Sequence, residues 1–264
     1  MLAGQRQMTI VEEIRRNGAV RVSELTELLG VSEMTIRRDL DALAAAGLVE
    51  KVHGGATARG GASTDEPGFE AKSHRQLKEK EAIAQAAAKL VEAGQAIGLS
   101  AGTTTWRLAH HILDVPDLTV VTNSIQVADV LHRETRADLT VVLTGGVRTP
   151  SDALVGPIAV STLRSLHVDV LFMGVHGMSE AGFTTPNLLE AETDEALVAS
   201  ASRVVVVADS TKWGVRGLIG FARLEDAQVL VSDNGLSADA RSTIAERVGE
   251  LVIASTRTRG AVAR

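Results

Sequence analysis

The 264-residue chain has no cysteine and no tyrosine, and only four phenylalanines and two tryptophans. Without cysteine there is no disulfide framework and no thiolate nucleophile. No apolar run approaches the roughly 18 residues that a membrane-spanning helix needs, so no membrane span is expected. Met1-Leu2-Ala3-Gly4-Gln5-Arg6 runs into polar sequence rather than an apolar leader core, and a soluble, cytoplasmic protein is the expectation. His110, His111, His132, His167 and His176 are not spaced with carboxylates as a metal site requires, so neither metal nor cofactor is expected. Neither Gly-x-x-x-x-Gly-Lys-Ser/Thr nor Gly-x-Gly-x-x-Gly occurs, which disfavours a nucleotide ligand.

An excess of basic charge is missing too. The net charge is −6, which argues against a nucleic-acid binder taken whole, but the charge is unevenly placed. Residues 1–59 carry eight Lys or Arg and eight Asp or Glu, so the rest of the chain holds the entire −6. Any contact with DNA must come from a local arrangement of arginines, doubled by self-association. At this length two domains are expected, one small and one of about two hundred residues.

The most informative stretch is Val31-Ser32-Glu33-Met34-Thr35-Ile36-Arg37-Arg38-Asp39-Leu40. Ser32 is a good N-cap, Glu33 puts a carboxylate on the positive end of the helix dipole, and Val31 and Ile36 occupy the two positions of a hydrophobic staple. At 100° per residue, Ile36, Leu40 and Leu43 form one stripe, with Met34, Arg38, Asp41 and Ala45 opposite and Thr35 and Arg37 on the flanks. Upstream, Val22–Leu29 predicts a shorter helix with Leu25, Leu28 and Leu29 inward and Gly30 as its stop. Two helices across so tight a turn suggest a helix-turn-helix, whose second helix enters the major groove. Ser32, Thr35, Arg37 and Arg38 are its reachable polar groups; the bland alternative is a helical hairpin with a solvated arginine face.

Residues 5–17 predict a first helix, with Met8, Ile10, Val11 and Ile14 apolar and Gly18 as its stop. After Ala46-Gly47, Leu48–His53 is strand-like, and Gly54-Gly55 followed by Ala56-Thr57-Ala58 turns it back as a hairpin. That hairpin would be the wing of a winged helix-turn-helix, with Lys51 and His53 placed to touch phosphate. The DNA-binding domain is thus assigned to residues 1–58 and a Gly/Pro-containing linker to 59–69. A sensing domain follows over 70–256, and 257–264 is a basic tail.

In the sensing domain a single long helix is predicted from Glu70 to about Ala93, with Leu77, Ile83, Ala87, Leu90 and Val91 inward. Seven apolar runs then read as strands: Ala96–Leu99, Leu118–Val121, Leu139–Leu143, Val168–Val175, Val204–Ala208, Val229–Val231 and Leu251–Ile253. They are continuous rather than alternating, as expected of a mostly parallel sheet covered on both faces, so the fold class is an open α/β domain behind the helix-turn-helix.

Ligands of such sheets sit beyond the carboxyl ends of the strands. Small and polar residues gather there: Ser100–Thr105, Thr122–Ser124, Thr144–Gly146, Gly174–Gly177 and Asp209–Lys212. Gly102 admits close backbone approach, and Thr103, Thr104 and Thr105 open a helix whose N-terminus favours phosphate. With Asn123, Ser124, Gly145, Gly146, Asp209 and Lys212 they form the candidate effector site, Lys212 for an anion and Asp209 for hydroxyls. A salt bridge between Asp209 and Lys212 is the alternative for that pair.

These motifs resemble the DeoR family of bacterial transcriptional regulators over nearly the whole chain. They are Val31–Leu40, Val52-His53-Gly54-Gly55-Ala56, Glu79-Lys80, Ala101-Gly102-Thr103-Thr104, Thr122-Asn123-Ser124, Thr144-Gly145-Gly146 and Asp209-Ser210-Thr211-Lys212-Trp213-Gly214. The resemblance implies an effector domain similar to the ribose-5-phosphate isomerase fold. It also implies a repressor of carbohydrate-catabolism genes that a phosphorylated sugar releases from double-stranded operator DNA. Two positions depart from the family pattern: Glu190–Glu195 is acidic where a basic residue is expected, and Ala101 replaces a more polar one. A homo-oligomer, dimer or tetramer, is expected, with no catalytic residue.

Two other functions compete. A sugar-phosphate isomerase or deaminase-like enzyme would need a positioned base and acid, with Asp152, Asp209, Glu190 and Lys212 as candidates. A scaffold whose second domain only oligomerises would not need the convergent Gly/Thr/Asn loops.

Overall fold

A computed structural model describes residues 3–17, 19–46, 48–52, 54–58, 68–133 and 136–256. The chain divides into two compact units, Met1–Ser63 and Thr64–Arg264. His53, Gly18, Gly47, most of the predicted linker and the predicted tail at 257–264 lie outside the described residues.

The first unit runs α1 (Ala3–Asn17), β1 (Ala19–Arg21), α2 (Val22–Leu29), α3 (Glu33–Ala45), β2 (Val49–Val52) and β3 (Gly55–Ala58). Gly30 ends α2 at φ 63°, a left-handed angle that only glycine adopts without cost. Ser32 caps α3 as the sequence predicts, its Oγ accepting from the Thr35 N–H at 3.3 Å. Ile36, Leu40 and Leu43 of α3 join Ile10, Ile14, Val22 and Leu25 in one core, with Val31 packed on its edge. Two expected core residues are not in it: Met8 is 64% and Leu28 58% exposed. A pattern three or four residues wide fixes a face but not its width, and these two fall on its edge. The wing hairpin forms with Lys51 opposite Ala56, and β1 adds a third antiparallel strand that too short a run hid from the sequence.

The second unit begins with α4 (Phe69–Ser73) and α5 (Leu77–Ala88), then β4 (Ala96–Leu99), α6 (Thr103–His111), β5 (Thr119–Thr122), α7 (Ile125–His132) and β6 (Thr140–Leu143). A hairpin of β7 (Val147–Arg148) and β8 (Leu154–Val155) leads to α8 (Pro157–Arg164), β9 (Val168–Gly174), β10 (Gly177–Ser179), β11 (Gly182–Thr185) and α9 (Leu188–Ala199). The chain closes with β12 (Ala201–Val207), β13 (Ile219–Ala222), β14 (Val229–Asp233), α10 (Ala238–Ala245) and β15 (Leu251–Ala254).

The predicted single helix from Glu70 to Ala93 is two. The chain breaks between Ser73 and Leu77, where Gln76 takes φ 50°, and Leu77 is 45% exposed rather than inward. The break turns the carbonyl end of α4 toward α5, a contact that no periodicity reports.

All seven predicted strands pair in one sheet of order β15-β14-β12-β9-β4-β5-β6, every pairing parallel. Both faces are buried. Val205 and Val207 of β12 face a core shared with Ile83 and Ala87 of α5 and Leu108 of α6, while Val204 and Val206 face the opposite core with Ala191 and Leu197 of α9. This is why the strands read as unbroken valine runs. A small antiparallel sheet, β10-β11-β13, was not legible. Among the described residues no helix is long and apolar enough to cross a membrane, and no group of three His, Asp or Glu could hold a metal.

Candidate functional site

In the first unit α3 presents Met34, Arg37, Arg38 and Asp41 to solvent, with Thr35 half-buried. Arg37 reaches back to Glu33 at 3.5 Å, and both side chains are 59% exposed, so this pair constrains Arg37 little. Arg38 has no hydrogen bond or ion pair among the described residues and lines a surface cavity of about 240 Å³ with Arg6, Ser32, Met34 and Thr35. The hydroxyls of Ser32 and Thr35 lie 3.0 Å apart at the mouth of the helix. Lys51 of β2 forms an exposed ion pair with Asp41 of α3.

Asp39, to which the sequence reading gave no side, is 5% exposed. It accepts from Arg6 Nε at 2.5 Å and from Gln7 Nε2 at 3.1 Å, locking α3 onto α1. The only sequence signal was a carboxylate one step past the arginines, which periodicity places between the two faces.

In the second unit, β12, β9, β4, β5 and β6 are neighbours and parallel, so their carboxyl ends share one edge of the sheet. The five predicted loops therefore stand side by side. The structure divides their residues into those bound up in the scaffold and those left open. Asn123 is 1% exposed; its Oδ1 accepts from the Ala101 N–H at 2.8 Å and its Nδ2 donates to the Leu154 carbonyl at 3.3 Å. Ser124 caps α7 through the Val127 N–H, and Thr105 Oγ1 donates to the Gly102 carbonyl at 3.0 Å. Gly146 sits at φ 120°, and a Cβ there would lie 2.5 Å from the Val155 carbonyl oxygen, so its glycine is explained by the β7–β8 hairpin.

Asp209 is 1% exposed, and its carboxylate accepts from the Thr211 N–H and hydroxyl, closing the turn Ser210–Lys212. The turn is held from the next strand by Asp233, which accepts from the Ser210 N–H at 2.6 Å and hydroxyl at 2.9 Å. The alternative of an Asp209–Lys212 salt bridge is not formed among the described residues. Among the described residues, the hydroxyls of Thr103 and Thr104, both buried, and the half-buried ammonium of Lys212 have no hydrogen-bond partner at the rim. Beside them stand the backbone at Gly102 and Gly145 and the first N–H groups of α6, which have no partner within the helix.

The carboxylates that an isomerase would need are committed elsewhere. Asp152 accepts from Arg148 Nε and Gln126 Nε2, each at 2.7 Å. Glu190 accepts from the hydroxyls of Thr149 at 2.9 Å and Thr185 at 3.1 Å, and from that of Ser151. Glu190 lies in the first turn of α9, where a carboxylate suits the helix dipole, which accounts locally for the acid found there. One turn on, burial and the neighbouring Glu190 push the Asp194 carboxyl well above the usual carboxylate range.

Comparison with known proteins covers both units. The model for the DeoR-like helix-turn-helix domain matches residues 6–60, and that for the DeoR C terminal sensor domain matches residues 75–234. The chain is 38% identical over 255 residues to the HTH-type transcriptional regulator GlpR of Haloferax volcanii, covering 96% of this chain and 98% of that protein. It is 34% identical over 230 residues to the lactose phosphotransferase system repressor of Streptococcus mutans, covering 87% and 91%. Among solved structures, ribose 5-phosphate isomerase from Plasmodium falciparum aligns with TM-score 0.38 at 16% identity, over 53% of this chain and 54% of that one. The arginine helix and the small-residue rim thus fall inside two domains that named regulators share over nearly their full length, and the chain belongs to the DeoR family of DNA-binding transcriptional regulators.

Proposed function

We propose that this regulator is a repressor of sugar-catabolism genes, released from its operator by a small phosphorylated sugar held at the carboxyl rim of the sheet. The observation that carries the reading is the company kept by the N-terminus of α6. Two threonine hydroxyls without a hydrogen-bond partner among the described residues and the adjacent Gly102 follow β4, the half-buried Lys212 follows β12 one strand beyond β9, and together they suit a phosphate ester better than a neutral sugar. The naming of the Streptococcus mutans relative as a repressor of a sugar-uptake system supports the same class. Asp209, Asn123, Ser124 and Gly146 then shape the site rather than touch the ligand.

By linkage, a ligand releases DNA only through its differential affinity for free and DNA-bound protein, typically about 1 to 3 kcal/mol, and DNA weakens the ligand by the same factor. Calorimetry with a panel of pentose and hexose phosphates, with and without operator, measures both halves. Thr103→Val and Lys212→Ala are expected to remove the response. Full response in both variants would place the ligand elsewhere, and steady conversion of the sugar would favour the enzyme reading.

On the DNA side, a neutral reading head holds too little charge to bind alone, so the active form is a homo-oligomer. Footprinting is expected to find repeated half-sites about 34 Å apart along the helix axis, or a multiple of it. Protection of a single unrepeated site by a monomer would contradict this.

A further inference from the structure

Met34 is the most exposed large apolar side chain among the described residues, at 71%. Nothing in its own helix accounts for it. With Ser32 as N-cap, Glu33 and Met34 are the first two helical residues of α3. That turn is complete without a thioether: the Ser32 Oγ accepts from the Thr35 N–H at 3.3 Å, Glu33 supplies the carboxylate that the helix dipole favours, and Val31 and Ile36 belong to the core below. Met34 contributes to neither the cap nor the core, and it holds its apolar surface in water.

Its surroundings indicate what would cover it. Met34 and Arg38 are four residues apart and stand on one line of the helix, while Ile36 and Leu43 point the opposite way into the core. Met34 also lines the surface cavity of the first turn with Ser32, Thr35, Arg38 and Arg6. One apolar side chain is therefore set among two hydroxyls and two guanidinium groups, all of them donors. Such a surface complements a partner that offers acceptors with a single apolar group among them. In the major groove one base fits that description: thymine presents its O4 acceptor and a C5-methyl group, and no other base carries a methyl there. The unbranched, flexible methionine stem can follow such a group without shifting the helix that carries it.

We propose that Met34 is a specificity residue that packs on the methyl group of one thymine in each operator half-site. The inference rests on α3 being the reading helix and adds an apolar contact beside its polar ones. This contact carries sequence information and no charge, so it leaves the salt dependence of binding untouched, unlike a phosphate contact.

The test uses the full chain and a duplex that the parent protein selects from a random pool. Each thymine of that duplex is replaced in turn by deoxyuridine, which removes the methyl group and keeps the pairing and the O4 acceptor. For one thymine per half-site, the replacement is expected to weaken the parent by about 3- to 10-fold. Met34→Ala, which removes the contact from every half-site, is expected to bind the unmodified duplex more weakly by at least that factor. It is also expected to be indifferent to that same replacement and to keep the parent's salt dependence and its affinity for random duplex. Met34→Leu, which keeps apolar bulk, is expected to retain the discrimination. Both variants should fold, because the side chain lies outside the core and both replacements favour a helix. If every deoxyuridine duplex affects parent and Met34→Ala alike, or selection yields no fixed thymine, the proposal is wrong. If Met34→Ala weakens random and selected duplexes alike, the side chain packs on the sugar–phosphate backbone and reads nothing. The arginines separate this failure from that of the reading helix. Loss of binding on replacing Arg37 and Arg38 by alanine keeps α3 in the groove even where Met34 fails, whereas parent-like binding in that double variant removes α3 and the methyl contact together.

Discussion

Replacing Arg37 and Arg38 together by alanine is expected to abolish operator binding at physiological salt while leaving the fold of the first unit intact. A bidentate contact from an arginine to a base edge is worth about 1 to 3 kcal/mol, so two of them cost from about 30-fold to on the order of 10⁴-fold in affinity for each reading head. Two heads on one operator double the loss in free energy. The fold tolerates the change because α3 is held by Ile36, Leu40 and Leu43 in the core and by Asp39 on α1. The Glu33–Arg37 pair is too exposed to matter. With eight positive and eight negative groups in residues 1–59, no general basic field exists to compensate. Single variants separate the roles. A base contact relaxes specificity at one position, whereas a phosphate contact weakens all sequences alike and flattens the salt dependence by about one unit. Fluorescence anisotropy on operator and random duplex at several salt concentrations measures this, with circular dichroism to monitor the helix. Parent-like affinity in the double variant would remove α3 from the interface.

Burial could be read from the sequence of this chain; partnership could not. The stripe Ile36, Leu40, Leu43 and all seven strands of the parallel sheet followed from periodicity and from unbroken valine runs, because a strand buried on both faces has no polar side. The five loops at the carboxyl edge followed from strand direction alone. The use each loop makes of its polar groups did not follow. Asn123 and Thr103 look equally available in a sequence, yet Asn123 ties the loop after β4 to Leu154 of β8, while the Thr103 hydroxyl has no hydrogen-bond partner among the described residues. That difference is set by residues thirty positions away. The break between α4 and α5 escaped for a related reason: Ser73-His74-Arg75-Gln76 has no proline or glycine to mark it, and it is stabilised by the long-range bond from Lys80 to Lys72. Asp233 and Asp39 were missed because single carboxylates carry no pattern.

Lys80→Met is expected to stabilise the second unit near neutral pH, by an amount that shrinks as the pH rises. Burial, acting against Asp209 and with Lys212, Arg107 and Arg75, lowers the Lys80 pKa from 10.5 to about 8. Unfolded chain therefore holds this proton up to about 10.5 and folded chain only to about 8, so the unfolded state binds more protons between those values. Stability must then rise with pH across that window, and below pH 8 the full penalty of the buried charge is present. At 1.36 kcal/mol per pKa unit the penalty is about 3 kcal/mol, which would raise the midpoint of a unit this size by several degrees in the methionine variant at pH 7. The difference between variant and parent should fade toward pH 10.5, and taking that difference cancels the titration of every other group. Trp106 and Trp213 both lie in the second unit, and residues 1–63 contain no tryptophan, so tryptophan fluorescence follows its unfolding without interference. A variant equal to or less stable than the parent at pH 7, or a difference independent of pH, would mean that the Lys72 carbonyl and Asp209 already offset the buried ammonium. A large gain that fades toward pH 10.5 would instead identify Lys80 as a buried ammonium whose cost its surroundings do not offset.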